Sequence, residues 1–215
     1  MIDLIIFDCD GVLVDSEIIS AEVLIEELRN VGIKIDRDYV RIHCLGRSFP
    51  TVAKAIRESH RTPLPDDFEM RYRNTLLERF ETRLRPTEGI AEMLEQLNIR
   101  RCVATSSSPP RVARTLELTG LDKYFSEHVY TASLVERGKP APDLFLHVAK
   151  EMGVPKERIL VVEDSIPGIT AAKAAEMNVL AYTGASHLRN LGIRLPDDTQ
   201  SFDNWSDFAH LLRQF

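Results

Sequence analysis

The feature that most constrains this chain is a short apolar run that ends in two aspartates and a glycine. Residues 4–7 read Leu-Ile-Ile-Phe, and Asp8, Asp10 and Gly11 follow at once. An unbroken apolar run of this length is typical of a parallel strand that is buried on both faces. Such a strand delivers the next residues to the carboxyl edge of its sheet, where open α/β sheets bind ligands. We therefore expect both carboxylates to lie at a binding site.

Further apolar runs predict the rest of a parallel sheet. They lie at residues 101–104, 128–130, 159–162 and 179–182. Helical patterns separate them, over residues 89–97, 110–118, 143–152 and 168–177. Alternating strands and helices are typical of βαβ units, so the predicted fold class is α/β, a doubly wound parallel sheet. Ser107 or Ser108 would cap the second of these helices. Residues 186–201 predict a loop and a short edge strand, and residues 203–214 a last helix.

The stretch between residues 16 and 83 interrupts this alternation, because it contains no convincing strand. Helical patterns occur there instead, over residues 18–30, 36–43, 50–59 and 66–80. We therefore predict an α/β core domain formed by residues 1–15 and 84–215. A helical cap domain, residues 16–83, would be inserted into it. The hinges between the two would lie at residues 14–17 and 82–86.

Composition argues against several classes of partner. The chain has 215 residues and a net charge of −6, without the basic excess typical of nucleic-acid binders, so we expect no nucleic-acid partner. No apolar run approaches the ~18 residues that a membrane span needs, so we expect no membrane partner. Three widely spaced cysteines argue against a disulfide framework. These patterns favour a cytoplasmic protein, and they leave a monomer or a small homo-oligomer open.

Polar residues follow the predicted strands at four places. These clusters are Asp8 and Asp10, Thr105 and Ser106, Lys139, and Glu163 and Asp164. Parallel strands end at one edge, so four carboxylates, a hydroxyl and an ammonium would meet there. Carboxylates gathered in this way favour Mg²⁺, which commonly joins them to substrate phosphates. The ammonium, the hydroxyl and backbone amides near Gly11 would suit the oxygens of a phosphoryl group.

The same residues resemble the motifs of the haloacid dehalogenase superfamily, in the branch of β-phosphoglucomutase and small sugar-phosphate phosphatases. The first motif, DxDGxxxD, matches residues 8–15, and the second, a Thr or Ser that ends a strand, matches Thr105. The third, a lysine before Pro-x-Pro, matches Lys139, and the fourth, paired acids before Ser-x-x-Gly, matches residues 163–168. The family's helical cap follows its first motif, as the predicted insertion does here.

The resemblance implies a role for each motif residue. Asp8 would be the nucleophile that forms an aspartyl-phosphate, and Asp10 would protonate the leaving alkoxide and later deprotonate the hydrolytic water. Thr105 would bind the phosphate beside the amide of Ser106, and Lys139 would pair with Asp8. The Mg²⁺ cofactor would be held by Asp8, the backbone carbonyl of Asp10, Asp164 and, directly or through water, Glu163.

Departures from the family pattern narrow the expected chemistry. Asp10 argues against the dehalogenases and phosphonate hydrolases of the superfamily, which lack it. β-Phosphoglucomutases have a cap histidine where this chain has Ser20, and a cap arginine where it has Phe49. We therefore expect Mg²⁺-dependent hydrolysis of a small phosphorylated metabolite, a sugar or sugar-acid phosphate. Gly46 and Arg47 of the cap are predicted to contact the rest of this substrate, although Arg47 could equally be a solvated surface residue.

Two other functions stay open at this point. A sugar phosphomutase would share the fold and the motifs, but it needs a cap base to activate its acceptor hydroxyl, and Ser20 is a poor base. A non-catalytic protein that binds phosphorylated ligands could keep the fold without turnover. That role does not require the pair formed by Asp8 and Asp10, so the pair favours an enzyme.

Overall fold

Six strands form one parallel sheet in this computed structural model, which describes residues 1–60, 62–189, 195–196 and 198–215. The strands are β1 (Leu4–Phe7), β2 (Arg100–Thr105), β3 (Val129–Thr131), β4 (Ile159–Glu163), β5 (Asn178–Tyr182) and β6 (Gln200–Phe202). Their order across the sheet is β3-β2-β1-β4-β5-β6, which places β1 between β2 and β4. The five strands predicted from apolar runs are confirmed, and β6 is the expected edge strand. Residues 190–194 and 197 of the stretch that precedes it lie outside the described residues.

The described residues also form nine α-helices. They are α1 (Glu17–Asn30), α2 (Arg37–His43), α3 (Phe49–Ser59), α4 (Phe68–Arg83), α5 (Ile90–Gln96), α6 (Pro109–Thr119), α7 (Asp143–Met152), α8 (Ile166–Ala174) and α9 (Phe208–Leu212). None of the helices in the described ranges has the length and apolar character that crossing a bilayer requires.

The two faces of the sheet bury separate cores, because successive side chains of a strand point to opposite sides. Ile5 and Phe7 of β1 pack in a cluster with residues of α5, α6 and α9. Leu4 and Ile6 pack in a second cluster, with residues of α7 and α8. Helices therefore cover both faces, and the predicted doubly wound α/β fold is confirmed.

The last helix is shorter than the sequence predicted. The segment begins with a 3-10 turn, Trp205–Asp207, and only Phe208–Leu212 is α-helical. The side chain of Asn204 accepts a hydrogen bond from the backbone N–H of Ser206, which favours the turn. Trp205 is buried there, and its indole N–H donates to Thr87 Oγ1 at 3.0 Å. The requirement to bury and satisfy this indole sets the local geometry in place of a regular helix.

Helices α1–α4, called the helical segment below, lie between β1 and α5 in the chain. Helix α1 packs along α4, and each buries a stripe of apolar residues against the other elements. On the exposed side Arg83 and Arg79 of α4 pair with Glu22 and Glu26 of α1, at 2.8 and 3.1 Å. Exposed pairs of this kind contribute at most about 1 kcal/mol each, so apolar burial dominates the packing of these helices.

Two connections join the helical segment to the rest of the fold, and they run side by side. The N–H of Asp15 donates to the backbone oxygen of Arg85 at 2.9 Å. Val14 forms an antiparallel bridge with Pro86 next to this bond. These residues lie in or beside the two stretches that the sequence predicted as hinges. The segment therefore enters and leaves the sheet at one point, directly after Asp8 and Asp10.

Candidate active site

The carboxyl ends of the central strands bring most of the predicted residues together. Asp8 directly follows β1, Thr105 ends β2 and Glu163 ends β4. Lys139 comes from the loop between β3 and α7 rather than from a strand end. Its Nζ donates to Asp8 Oδ1 at 2.7 Å, to Glu163 Oε1 at 2.6 Å and to the backbone oxygen of Ala104 at 2.9 Å.

Deep burial strongly affects the pKa values of Lys139 and Asp8. Lys139 is only 3% exposed and Glu163 is fully buried. Burial opposes the lysine charge, but the carboxylates of Asp8 and Glu163 raise its pKa above the ordinary value, so it stays charged. Burial also raises the pKa of Asp8, and repulsion from Glu163 and Asp164 adds to the rise while Lys139 opposes it. One ammonium therefore faces more negative charge than it can neutralise.

Three buried carboxylates form a group that could hold a metal ion. Asp8, Glu163 and Asp164 each place one oxygen within 4.8 Å of the others. Burial and the neighbouring Glu163 raise the pKa of Asp164. An oxygen-preferring divalent cation would relieve the repulsion that adds to the effect of burial on these pKa values, so the donor set fits Mg²⁺.

Glu163 differs from the other two carboxylates because its oxygens are already hydrogen-bonded. Oε1 accepts from Lys139, and Oε2 accepts from the backbone N–H groups of Asp164 and Ser165, at 3.0 and 3.1 Å, and from Ser165 Oγ at 2.9 Å. The carboxylates of Asp8 and Asp164 are therefore better able to turn toward a cation.

Asp10 lies on the side of the site that faces the helical segment. Its Oδ1 accepts hydrogen bonds from Ser16 Oγ at 2.5 Å and from Arg111 Nη2 at 2.6 Å. Its Oδ2 accepts one from Ser107 Oγ at 2.5 Å. Burial raises the pKa of Asp10, but Arg111 and the two hydroxyls lower it more, and the result is a pKa below the usual range. Asp10 is thus held as a carboxylate.

Sequence reasoning did not find Arg111, and it assigned Ser107 or Ser108 to helix capping. Ser108 does occupy the N-cap position of α6, but its side chain makes no capping hydrogen bond, and Ser107 contacts Asp10 instead. Arg111 stands in the first turn of α6, where the helix dipole disfavours a cation. This mismatch between residue and position is the signal that could have identified it.

A second missed residue, His187, comes from the loop after β5. Its Nε2 lies 3.1 Å from Asp164 Oδ2, and burial lowers its pKa. The same loop contacts the last aspartate of the first motif, because Ser186 Oγ donates to Asp15 Oδ1 at 2.7 Å. Sequence spacing gave no signal for His187, since this contact depends on how the loop folds back over the sheet edge.

Thr105 and Ser106 lie at the carboxyl end of β2 and line a cavity together with Asp8 and Asp10, and phosphate binding by them stays a prediction. Thr105 is buried, and its Oγ1 accepts from the backbone N–H of Ser107 at 3.1 Å. Ser106 Oγ donates to the backbone oxygen of Gly46 at 3.0 Å, which ties the loop after β2 to the helical segment.

Glycine is required at two positions because a side chain from another part of the fold lies directly against the backbone there. Gly11 has φ of +82°, and a Cβ at that position would overlap the carboxylate of Asp164. Gly46 has φ of +69°, and a Cβ there would overlap the side chain of Ser165. The backbone of the helical segment therefore touches the loop after β4 directly.

We expect Gly46→Ala to impair closure of the helical segment. The methyl group would push Gly46 away from Ser165, so kcat/KM should fall by about tenfold or more, because small displacements of positioning groups cost rate heavily. Gly32→Ala is the matched control. Gly32 also has positive φ, at +82°, but its Cβ would meet no described atom within 4 Å, so only a stability loss of about 1 kcal/mol is expected. Steady-state kinetics and urea unfolding of both variants test this, and equal effects on kcat/KM would contradict it.

A small cavity lies between the sheet edge and the helical segment. Its volume is about 70 Å³, and its walls include Asp8, Asp10 and Thr105 from the sheet side and Glu17 and Ser20 from the segment. Ligand pockets usually measure ~300–1,000 Å³, so this cavity is too small for a sugar phosphate. A ligand of that size would fit only with the segment lying further from the sheet edge.

Arg47 lines both this cavity and a wider cleft of about 730 Å³ beside it. The cleft also contains Arg73 and the loop of serines after β2. Arg47 is half-buried, and its guanidinium forms no ion pair with any residue that the structure describes. It stays a predicted substrate contact.

Glu17 provides a pH-dependent prediction. Burial, together with the nearby charge of Asp10, raises its pKa to about 8. Because the folded state holds this proton more tightly than the unfolded state, the stability it contributes is complete below a pH of ~4 and is lost as pH rises through about 8. In EDTA, wild type should therefore lose roughly 2–4 kcal/mol more unfolding free energy than Glu17→Gln between pH 5 and pH 9.

Urea unfolding at several pH values measures this difference. The matched control is Glu26→Gln, on the exposed side of the same helix, which should follow wild type. Parallel pH profiles for wild type and Glu17→Gln would contradict the prediction.

Comparison with known proteins is consistent with this geometry. Residues 2–176 match the family model of haloacid dehalogenase-like hydrolases. The chain belongs to this family. The predicted family resemblance is therefore confirmed, and so is the expectation of a hydrolase.

This haloacid dehalogenase-like hydrolase has relatives that act on phosphorylated carbohydrates. It is 27% identical over 187 residues to 6-phosphogluconate phosphatase of Escherichia coli K12, covering 86% of this chain and 85% of the relative. It is 31% identical over 183 residues to fructose-1-phosphate phosphatase of the same bacterium, covering 82% and 94%. A solved haloacid dehalogenase-like protein of unknown function from Agrobacterium tumefaciens is 34% identical, with a TM-score of 0.79 and coverage of 100% and 99%.

Proposed function

We propose that this chain is a Mg²⁺-dependent phosphomonoesterase that hydrolyses a small phosphorylated sugar or sugar acid. The observation that carries the proposal is the buried contact of Lys139 with Asp8 at 2.7 Å, beside two further carboxylates and next to Asp10. The relatives that act on 6-phosphogluconate and fructose 1-phosphate support the substrate class.

In the first step an Asp8 oxygen attacks phosphorus, and the bond between phosphorus and the ester oxygen breaks. The negative charge of the bound phosphate ester raises the pKa of Asp10, so Asp10 takes up a proton when substrate binds and then gives it to the leaving oxygen, and an alcohol departs. Lys139 neutralises charge on Asp8 and on the transferring oxygens, and the Thr105 hydroxyl with the Ser106 amide binds those oxygens. The product of this step is an aspartyl-phosphate on Asp8.

In the second step Asp10 removes a proton from a water molecule, which attacks phosphorus. The bond between phosphorus and Asp8 breaks, and inorganic phosphate is released. Asp10 recovers in this step the proton that it gave in the first, so the cycle is balanced.

Asp8, Asp164 and the backbone carbonyl of Asp10 would hold Mg²⁺. When bound, the ion supplies positive charge to the phosphoryl oxygens and offsets the repulsion between carboxylates. Glu163 acts on Lys139 and on its own loop, because its oxygens are occupied there. A direct or water-mediated contact of Glu163 with the ion stays a prediction.

The helical segment acts as a cap, residues 16–83 on a core of residues 1–15 and 84–215. Its loop at Gly46 and Arg47 closes on the substrate and contacts the non-reacting end. Closure excludes bulk water from the cavity, which strengthens the electrostatic interactions inside it.

Hydrolysis is favoured over phosphomutase chemistry by what surrounds Ser20. Its hydroxyl donates to the backbone oxygen of Ser16 at 3.0 Å and accepts from Arg111 at 3.0 Å, so it is no base for an acceptor hydroxyl. Phe49 stacks on Tyr72, with ring centroids 5.3 Å apart, and offers no charge to a second phosphate.

The test is phosphate release from p-nitrophenyl phosphate and from a panel of sugar and sugar-acid phosphates, with Mg²⁺ and with EDTA. We expect release that requires Mg²⁺ and that is fastest with a member of the sugar panel. Absence of release from every compound by folded protein would contradict the proposal and favour a protein that only binds phosphorylated ligands.

A further inference from the structure

We propose that Arg111 is a positioning residue, which fixes the carboxylate of Asp10 for proton transfer only while the helical segment is closed. The inference rests on the proposed function. Arg111 lies outside the four family motifs, in the first turn of α6.

The guanidinium of Arg111 contacts both halves of the site. Nη2 donates to Asp10 Oδ1 at 2.6 Å, which belongs to the sheet side. The same nitrogen donates to Ser20 Oγ at 3.0 Å, and the guanidinium lies over the ring of Phe80, 5.5 Å from its centroid. Ser20 is in α1 and Phe80 is in α4, so two of its three partners belong to the helical segment.

This contact is a largely buried ion pair, unlike the exposed pairs between α1 and α4. The side chains of Arg111 and Asp10 are 17% and 11% exposed. A hydrogen bond between two charged groups is short and strongly directional, and the planar guanidinium restricts the angle from which it donates. Arg111 therefore limits rotation of the Asp10 carboxylate.

The two oxygens of Asp10 are unequally engaged. Oδ1 accepts from Ser16 and from Arg111, whereas Oδ2 accepts from Ser107. Both Asp10 and Ser107 line the cavity between the sheet edge and the helical segment. Oδ1 is therefore the anchored oxygen, and Oδ2 is the oxygen that exchanges a proton with the leaving group and with water.

The same contacts couple Asp10 to closure. Outward movement of the segment takes Ser20 and Phe80 away from Arg111, and the guanidinium is then held only by the carboxylate it positions. In the open state Asp10 keeps its hydrogen bond from Ser107 but loses a firmly placed guanidinium, so its carboxylate is held less rigidly. Proton transfer is thus confined to the closed state, in which bulk water cannot reach the aspartyl-phosphate.

The test compares Arg111→Met and Arg111→Lys with Arg114→Met. Arg114 lies one turn further along α6 and also bridges to the segment, pairing with Glu81 at 2.5 Å, but it does not line the cavity. The control therefore removes an ion pair between α6 and the helical segment and leaves the contacts of Asp10 unchanged.

With p-nitrophenyl phosphate, we expect Arg111→Met to lower kcat by about 10²-fold, within the range known for general acid–base catalysis, and KM by less than about threefold. A burst of roughly one nitrophenolate per site should precede the slow phase, because this good leaving group needs little protonation whereas hydrolysis of the aspartyl-phosphate needs the base. Arg114→Met should keep kcat within about twofold and show no burst.

Arg111→Lys retains the charge and should fold even if Arg111→Met does not, yet without the planar donors it should lose about tenfold or more in kcat. Guanidinium chloride at low, non-denaturing concentration should restore activity to Arg111→Ala, which leaves space for it, and not to Asp10→Asn. Rescue of kcat without a matching gain in the free energy of unfolding would separate positioning from a merely structural role.

Three results would overturn the inference. Unchanged kcat in the Arg111 variants would do so. A rise in KM confined to sugar-acid phosphates would show that Arg111 binds substrate instead. Equal losses of kcat in the Arg111 and Arg114 variants would show that Arg111 only holds the helical segment against the sheet side. An inactive wild type would overturn the proposed function and this inference together, whereas an active wild type with unaffected Arg111 variants overturns the inference alone.

Discussion

Asp8→Asn is expected to lower kcat by at least about 10³-fold, because an amide cannot form the aspartyl-phosphate. The substitution keeps the size of the side chain and removes one charge from a crowded group, since repulsion from Glu163 and Asp164 adds to the raised pKa of Asp8. The variant should therefore stay folded. Steady-state phosphate release and acid-quenched labelling of the protein with ³²P-phosphorylated substrate measure the effect.

Asp3→Asn is the matched control for this variant. It makes the same chemical change just before β1, where Asp3 pairs with Arg158 at the surface at 2.7 Å, and it should retain full turnover. Asp8→Asn should also still bind inorganic phosphate in calorimetry with Mg²⁺. Turnover above about a tenth of wild type would contradict the assignment of Asp8 as nucleophile.

Lys139→Met is expected to reduce the free energy of unfolding by about 3–5 kcal/mol in EDTA, because it leaves buried carboxylates without their cation. The side chain is 1% exposed, and its two carboxylate partners are 7% and 0% exposed, so water cannot replace it. Mg²⁺ should restore part of the lost unfolding free energy, since a cation among the carboxylates relieves the same repulsion. Urea unfolding with EDTA and with Mg²⁺ measures both effects.

Lys156→Met is the control for burial. Lys156 pairs with Glu176 at 2.7 Å on the surface, and its loss should leave the free energy of unfolding nearly unchanged. Adding Glu163→Gln to Lys139→Met should recover stability, because one uncompensated charge is then removed. Similar losses for the two lysine variants would show that burial does not govern this pair.

The fold and the centre of the site were predictable because their signals are local. The apolar run before Asp8 indicates a strand wherever it occurs, and the parallel arrangement then takes Asp8, Thr105 and Glu163 to one edge of the sheet. Lys139 was found by its motif context, although it reaches the site from a loop.

The partners of Asp10 could not be predicted in the same way. Arg111 is about a hundred positions away from Asp10 in the chain, and their contact depends on how the first turn of α6 is oriented over the sheet edge. His187 reaches Asp164 through the fold of a loop that no periodicity describes. Trp205 shortened the last helix because the indole needed a burial site and a hydrogen-bond partner, which only the assembled core provides.

The paired connections at Asp15 and Arg85 would limit how the proposed cap moves. Two connecting segments joined by a backbone hydrogen bond would resist twisting and sliding, so we expect the helical segment to rotate about a single axis at this point. Whether the segment closes would then depend on the size and shape of the bound molecule. A molecule too large to be enclosed would bind without reacting, and one too small would leave gaps through which water enters. Substrate selectivity would thus depend on whether the cap can close around a molecule as much as on the affinity for it.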